Sequence, residues 1–160
     1  MNTGVRFGLA VAQRTDECDP TAMIAQAVEA EGSHSALDSL WVADRVTGAS
    51  SHLDPIALLA ALAVATSRVR LGAAVLVGPL RNPVVLAHQA ASLDQLAAGR
   101  FVLGIGAGSP ALRAIGGTAG GTLEAMLDDY VDVVSSLVRG EAVTSHRDGW
   151  SIDAVTISPR

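Results

Sequence analysis

Two adjacent residues of opposite charge, Asp44 and Arg45, follow an apolar run at positions 39–43. An arginine stays protonated at any working pH, so it provides a fixed positive charge and is not an ordinary acid or base. Arg45 is therefore a candidate for holding an anionic group, with Asp44 as its neighbouring carboxylate. The alternative is a solvated ion pair, which contributes little to stability.

A glycine-rich turn is the second candidate for chemistry. Gly106, Gly108 and Ala111 match the GxGxxA spacing of dinucleotide-binding turns, in which glycine lets the backbone approach a phosphate. Pro110 interrupts this turn, and the acidic residue expected about 20 positions later on a strand is missing, because Glu124 belongs to a predicted helix. The sequence therefore supports a dinucleotide site only weakly.

The other reactive residues form no recognisable catalytic set. Cys18 is the single cysteine and has no base near it in the sequence, so we expect it to be unreactive. The four histidines lack the spacing of metal ligands, and a chain without lysine cannot form a lysine-containing phosphate loop. Asn82 precedes Pro83, an arrangement that is typical of the first residues of a helix.

Apolar runs alternate with amphipathic segments along the chain, which predicts strands and helices in turn. The predicted strands cover residues 5–12, 39–43, 69–77 and 101–105, and the predicted helices cover 21–31, 56–67, 84–97 and 123–138. Such repeats require a parallel α/β sheet with right-handed crossovers. An open doubly wound sheet and part of a TIM barrel both meet this requirement, and a whole barrel usually needs about 250 residues.

The composition excludes several classes of partner. The 160 residues carry a net charge of −5, so no basic surface is available to neutralise the phosphates of a nucleic acid or an anionic membrane. No apolar stretch reaches the roughly 20 residues of a membrane span, and the first residues lack the pattern of a signal peptide. A single cysteine fits a reducing compartment, so we expect a cytoplasmic protein.

Three stretches of the sequence resemble the bacterial luciferase-like monooxygenase family, whose members depend on FMN or on the deazaflavin coenzyme F420. The stretches are AEGSHSALDSLWVADR at 30–45, the run from DPIALLAAL through TSRVRLG and LRNP to GRFVLGIGAG at 54–108, and SLVRGEAVT at 136–144. The family's fold is a TIM barrel, so the resemblance implies that residues 1–145 form a half-barrel of about four βα units. Residues 146–160 are expected to form an irregular tail.

The resemblance also implies a cofactor site. In the family, the third strand carries a bulge with a non-prolyl cis peptide bond behind the flavin ring, and the matching bond here is Ala74–Val75. Ala73, Ala74 and Val75 are therefore expected to contact the cofactor. The same resemblance implies further cofactor contacts at Gly106, Ser109 and Asn82.

Two positions depart from the family's pattern. Arg45 stands where the family often has a histidine that acts as a proton donor or substrate contact. Ser109 stands where some deazaflavin enzymes have a glutamate that accepts a proton. Both replacements remove a proton-transfer group, and they leave Asp44 and Arg45 as the candidates for catalysis.

The resemblance implies an oxidoreductase that uses F420 or FMN on a small-molecule substrate. We favour F420 slightly, because an arginine-rich chain without lysine is typical of a GC-rich bacterial genome. A half-barrel has two open sheet edges, so we expect either a homodimer that completes eight strands or a truncated form of a longer enzyme. Two alternatives remain open, namely a non-catalytic half-barrel for flavin binding or assembly and an open-sheet dinucleotide-binding domain.

Overall fold

The computed structural model describes residues 4–108, 123–147 and 149–159. Its strands are β1 (Phe7–Ala10), β2 (Leu37–Val42), β3 (Arg70–Val77), β4 (Phe101–Gly106), β5 (Val143–Arg147) and β6 (Trp150–Val155). Its α-helices are α1 (Pro20–Ser33), α2 (Pro55–Ala65), α3 (Pro83–Leu96) and α4 (Leu123–Val138), and a short 3₁₀ turn covers Gly78–Leu80. Each predicted strand and helix is present, with ends that differ by a few residues at most.

Strands β1 to β4 form one sheet in the order β1-β2-β3-β4. Strand β2 pairs in parallel with both β1 and β3, with Leu40 opposite Leu71 and Trp41 opposite Gly72. A helix separates each strand from the next, as parallel pairing requires. The predicted parallel α/β architecture is therefore confirmed.

The chain divides into two compact units, each with its own apolar core. The first comprises Met1–Val75 and Leu93–Gly104, and the second comprises Leu76–Ser92 and Ile105–Arg160. Large buried side chains of the first unit include Met23, Leu40, Leu59, Leu62 and Leu71. Those of the second unit include Leu76, Leu86, Tyr130 and Leu137.

The helices begin where the sequence predicts. The Asp19 carboxylate accepts bonds from the backbone N–H groups of Thr21 and Ala22, and Asp54 does the same for Ile56 and Ala57. A proline follows each of these caps at the first helical position, where its missing N–H costs nothing. Among the described residues, no helix combines the length and the apolar character needed to cross a membrane.

The end of the chain differs from the prediction of an irregular tail over residues 146–160. Strands β5 and β6 form an antiparallel hairpin, with Arg147 opposite Trp150 and Gly149 in the turn at a φ of +105°. The physical reason is an alternation within β6, where Trp150 and Ile152 are buried while Ser151 and Asp153 are exposed. This period of two was present in the sequence WSIDAV and marks a strand with one buried face.

Candidate functional site

The residues after β2 are fixed by a side chain from another part of the first unit. Gln13 is buried, and its side-chain amide donates to the carbonyl of Ala43 at 2.8 Å and accepts from the N–H of Ala43 at 2.6 Å. Asp44, which is half-buried, and Arg45, which is exposed, follow directly. Gln13 therefore holds the backbone from which both candidate side chains extend, a role that the sequence did not reveal.

Strand β3 contains a short exposed segment, Ala74 and Val75, which we call the β3 shelf. Leu71, Gly72 and Ala73 before it are buried, and so are the two residues that follow it. Val75 is 42% exposed. The Ala74–Val75 peptide bond is cis, as the resemblance implied. Two consecutive exposed residues interrupt the alternation of a strand, so β3 is open to solvent at this point.

The backbone of β4 approaches β3 closely beside the shelf. A Cβ atom added to Gly104 would lie 2.3 Å from the carbonyl oxygen of Ala73 and 3.5 Å from a methyl carbon of Val75. No side chain can occupy that space, because the nearest atom belongs to backbone. Gly104 is therefore required by the course of β3, whereas the sequence indicated only a glycine-rich turn.

Gly72 in β3 lacks a side chain, which leaves a space beside the strand. The indole of Trp41 fills this space, since a Cβ at Gly72 would lie 2.3 Å from Trp41 Cζ3. On the other side, a Cβ at Gly8 would lie 2.6 Å from Trp41 Nε1, which donates to Ser39 Oγ at 2.9 Å.

A charged cluster lies at the opposite ends of the strands. Arg70, the first residue of β3, donates to the carboxylate of Asp38, and Arg6 lies 4.0 Å from the same carboxylate. The hydrogen bond from Arg70 lowers the pKa of Asp38, although desolvation opposes it. Because β2 and β3 are parallel, this cluster lies at their amino ends, away from the residues that follow β2.

The remaining predicted residues belong to the second unit. Asn82 caps α3, since its Oδ1 accepts from the N–H of Val84 at 2.9 Å, and Gly106 is the half-buried last residue of β4. Ser109 lies outside the described residues. The structure thus gathers Ala73, Ala74 and Val75 on one strand and Asp44 and Arg45 after its neighbour, and their contact with a cofactor stays a prediction.

A family model described as luciferase-like monooxygenase matches residues 3–160. The F420-dependent glucose-6-phosphate dehydrogenase of Kineococcus radiotolerans is 38% identical over an alignment 143 residues long, and the match covers 84% of this chain and 42% of the dehydrogenase. The chain therefore spans less than half the length of this curated relative.

Two solved structures share the fold. The oxygenating constituent of 3,6-diketocamphane monooxygenase from the CAM plasmid of Pseudomonas putida, in complex with FMN, gives a TM-score of 0.79 at 21% identity. That match covers 93% of this chain and 43% of the other. An F420-dependent secondary alcohol dehydrogenase in complex with an F420-acetone adduct gives a TM-score of 0.79 at 23% identity. That match covers 94% of this chain and 47% of the other. The α/β fold of about four βα units within a TIM-barrel architecture is thus confirmed.

Proposed function

The chain belongs to the luciferase-like monooxygenase family, and on that premise we propose that it forms part of an F420- or FMN-dependent oxidoreductase. The coenzyme would supply hydride transfer or oxygen activation, and the protein would supply its position and electrostatic surroundings. The substrate would be a small molecule. Because the chain spans under half of its curated relative, the proposal concerns only the part of a cofactor site that these 160 residues line.

The β3 shelf is the observation that carries this proposal. A flat ring needs a surface without protruding side chains, and Ala74 exposes only a methyl group there. The shelf lies near the carboxyl end of a parallel strand, which is the end at which TIM barrels bind their ligands. Val75 would contact the ring beside Ala74, whereas Ala73 is buried and would support the shelf together with the close approach of β4 at Gly104.

Asp44 and Arg45 would form the polar part of the proposed site. Both follow β2, the neighbour of β3, at its carboxyl end. Arg45 is exposed and permanently charged, so it would hold an anionic group of the substrate or coenzyme, and Asp44 would orient it or take up a proton. Asn82, Gly106 and Ser109 remain predicted cofactor contacts on the resemblance alone.

We favour F420 over FMN as the coenzyme. The relative with 38% identity is F420-dependent, and the arginine-rich composition without lysine fits the same preference. The proposal also includes a homodimer, because β1 is exposed along its whole length at one end of the sheet. The single cysteine, Cys18, fits a cytoplasmic location.

A fluorescence titration tests the proposed cofactor. The 160-residue chain would be titrated separately with F420, FMN and NADPH, each of which fluoresces. We expect saturable binding of F420 or FMN and none of NADPH. Binding of NADPH alone would support the dinucleotide-binding alternative, and no binding of any of the three would contradict a cofactor site on this chain.

A second candidate function is a flavin-binding half-barrel without catalysis. Arg45 favours it, because a permanently protonated guanidinium cannot transfer a proton as a histidine can. The two functions differ in turnover. A catalytic site would oxidise its bound reduced coenzyme faster when a carbonyl substrate panel is added, whereas a binding module would show the same slow oxidation with and without it.

A further inference from the structure

The loop between β2 and α2, residues 44–52, is closed at its base by Gln13. The side chain of Gln13 binds Ala43 just before the loop, and its backbone carbonyl accepts from the N–H of Leu53 just after the loop at 3.2 Å. Because one glutamine holds both residues, the loop leaves and re-enters the fold at the same place. Asp44 and His52, its first and last residues, therefore lie near each other at this base.

Further bonds from the segment after β1 fix the backbone at His52. Arg14 forms an isolated antiparallel bridge with His52. Thr15 donates its backbone N–H to the carbonyl of Ser51 at 3.0 Å and its hydroxyl to Ser51 Oγ at 2.6 Å. His52 is thus held between two bonded neighbours. All of these residues belong to the first unit, which also carries the β3 shelf.

The imidazole of His52 is oriented so that one ring nitrogen is left for chemistry. All four histidines lie within the described residues, and His52 alone is half-buried, whereas His34, His88 and His146 are exposed. His52 Nδ1 lies 3.1 Å from the carbonyl oxygen of Ser50. A carbonyl oxygen can only accept, so Nδ1 carries the proton and Nε2 of the neutral ring keeps its lone pair. Nε2 has no hydrogen-bond partner within the described part of the chain, so it can take up or give a proton.

Asp16 places a carboxylate near this imidazole. Arg14 donates to the Asp16 carboxylate at 2.9 and 3.3 Å, and it also pairs with Glu17, so one guanidinium is shared between two carboxylates. The hydrogen bonds from Arg14 lower the pKa of Asp16, desolvation opposes them, and the positive charge of protonated His52 adds to the lowering. The Asp16 carboxylate therefore lies close enough to provide a counter-charge for the imidazolium form of His52.

We infer that His52 is the proton-transfer residue of the proposed site and that the substrate is a carbonyl compound. This inference rests on the proposed function, because reduction of a carbonyl group needs a hydride at carbon, which the bound coenzyme would supply, and a proton at oxygen. His52 Nε2–H would give that proton as the C=O double bond becomes a C–O–H group, and the ring would regain a proton from water. Arg45 cannot do this, because its guanidinium stays protonated.

Nuclear magnetic resonance of the ¹⁵N-histidine-labelled chain tests the orientation of the ring without any coenzyme. We expect neutral His52 to carry its proton on Nδ1. His146 provides the internal contrast, because its Nε2 lies 3.2 Å from the Asp153 carboxylate and its Nδ1 lies 2.9 Å from Ser151 Oγ, which places the proton of the neutral ring on Nε2. A neutral His52 that carries its proton on Nε2 would overturn the inference.

A titration of the same labelled chain with F420 separates this inference from the proposed function. Coenzyme fluorescence reports binding, and we expect the Nε2 signal of His52 to move with the same dissociation constant while the signals of the three exposed histidines stay in place. Binding that leaves the His52 signal unmoved would overturn the role of His52 and leave the proposed function intact. A chain that binds no coenzyme by fluorescence would contradict both.

Matched variants separate proton transfer from binding. His52→Asn keeps a donor for the Ser50 carbonyl but has no nitrogen that can take up a proton. We expect it to lower the kcat of carbonyl reduction about 100-fold and to leave the dissociation constant of F420 unchanged. His146→Asn, on the exposed hairpin strand β5, should change neither quantity. Full turnover by His52→Asn, or an equal loss in His146→Asn, would overturn the inference.

Discussion

Gln13 connects the segment after β1 to the segment that carries Asp44 and Arg45. Its amide forms both a donating and an accepting bond with Ala43, thirty positions away, just before Asp44 and Arg45. A glutamine amide can do this because it carries a donor and an acceptor on one planar group. Removing it leaves two backbone groups of Ala43 without their partner and frees the segment that carries the candidate catalytic residues.

We predict that Gln13→Leu lowers the free energy of unfolding by about 2 kcal/mol, the cost of leaving partly buried backbone groups without partners. Urea unfolding followed by circular dichroism measures this. Gln26→Leu, on the exposed face of α1, is the matched control and should change stability by no more than about 0.5 kcal/mol. Equal effects of the two substitutions would show that the amide bonds to Ala43 contribute nothing.

Glu31 joins α1 to the segment before β3. Its carboxylate accepts from the backbone N–H groups of Ser67, Arg68 and Val69 at 3.1, 2.6 and 2.9 Å. Burial raises the pKa of Glu31, but the three hydrogen bonds together outweigh it, so the pKa lies below its ordinary value near 4.5. A depressed pKa means that the folded state binds its proton less readily than the unfolded state does.

The stabilisation from Glu31 is therefore complete above about pH 5 and is lost as the pH falls below the ordinary pKa and through the lowered one. We predict that Glu31→Gln costs about 1 kcal/mol at pH 7, and that this cost shrinks as the pH approaches 3.5. Urea unfolding at several pH values measures both. Glu29→Gln, on the exposed part of the same helix, should cost little at any pH, and a pH-independent cost for Glu31→Gln would contradict the account.

At the scale of elements, β3 and β4 constrain one another. Gly104 permits a backbone approach that no side chain could fit, because an added Cβ would lie 2.3 Å from the Ala73 carbonyl oxygen. We predict that Gly104→Ala lowers the free energy of unfolding by about 2–3 kcal/mol, as overpacking against backbone does. Gly32→Ala, where nothing lies within 4 Å on helix α1, should instead raise it by up to about 1 kcal/mol. Denaturant unfolding of both variants measures the contrast, and a neutral Gly104→Ala would contradict the close approach.

The elements themselves were largely predictable from the sequence. Asp-Pro pairs at Asp19 and Asp54 marked two helix starts, and apolar runs marked the strands, because both are local signals. The pairing of Gln13 with Ala43 and the filling of Gly72 by Trp41 left no local signal, since each depends on chain segments that meet only after folding. The β5–β6 hairpin was missed although the alternation in β6 was visible.

At the scale of the whole molecule, the exposed edge strand β1 predicts association. Phe7 is 62% exposed and Leu9 is 47% exposed on a strand that ends the sheet. Open edges with apolar side chains invite pairing with another strand. We therefore expect size-exclusion chromatography with light scattering to give twice the mass of one chain.

A charge on the edge should abolish this association. We expect Phe7→Lys to give the mass of one chain, whereas Val64→Lys, at a site that is 71% exposed on α2, should keep the dimer. A natural chain that elutes as a stable monomer would contradict the proposed homodimer. The cofactor proposal would then depend only on the titration of the chain with the coenzymes.

The central claim is that the β3 shelf receives the ring of F420 or FMN. Its most direct test is the dissociation constant of the coenzyme for the natural chain, for Ala74→Leu and for Ala25→Leu. Both alanines are exposed, but only Ala74 lies on the shelf, while Ala25 lies on helix α1. The account predicts that Ala74→Leu weakens binding at least about tenfold, because the larger side chain occupies the surface of the shelf, and that Ala25→Leu leaves binding unchanged. Coenzyme binding that survives Ala74→Leu at full affinity would contradict it.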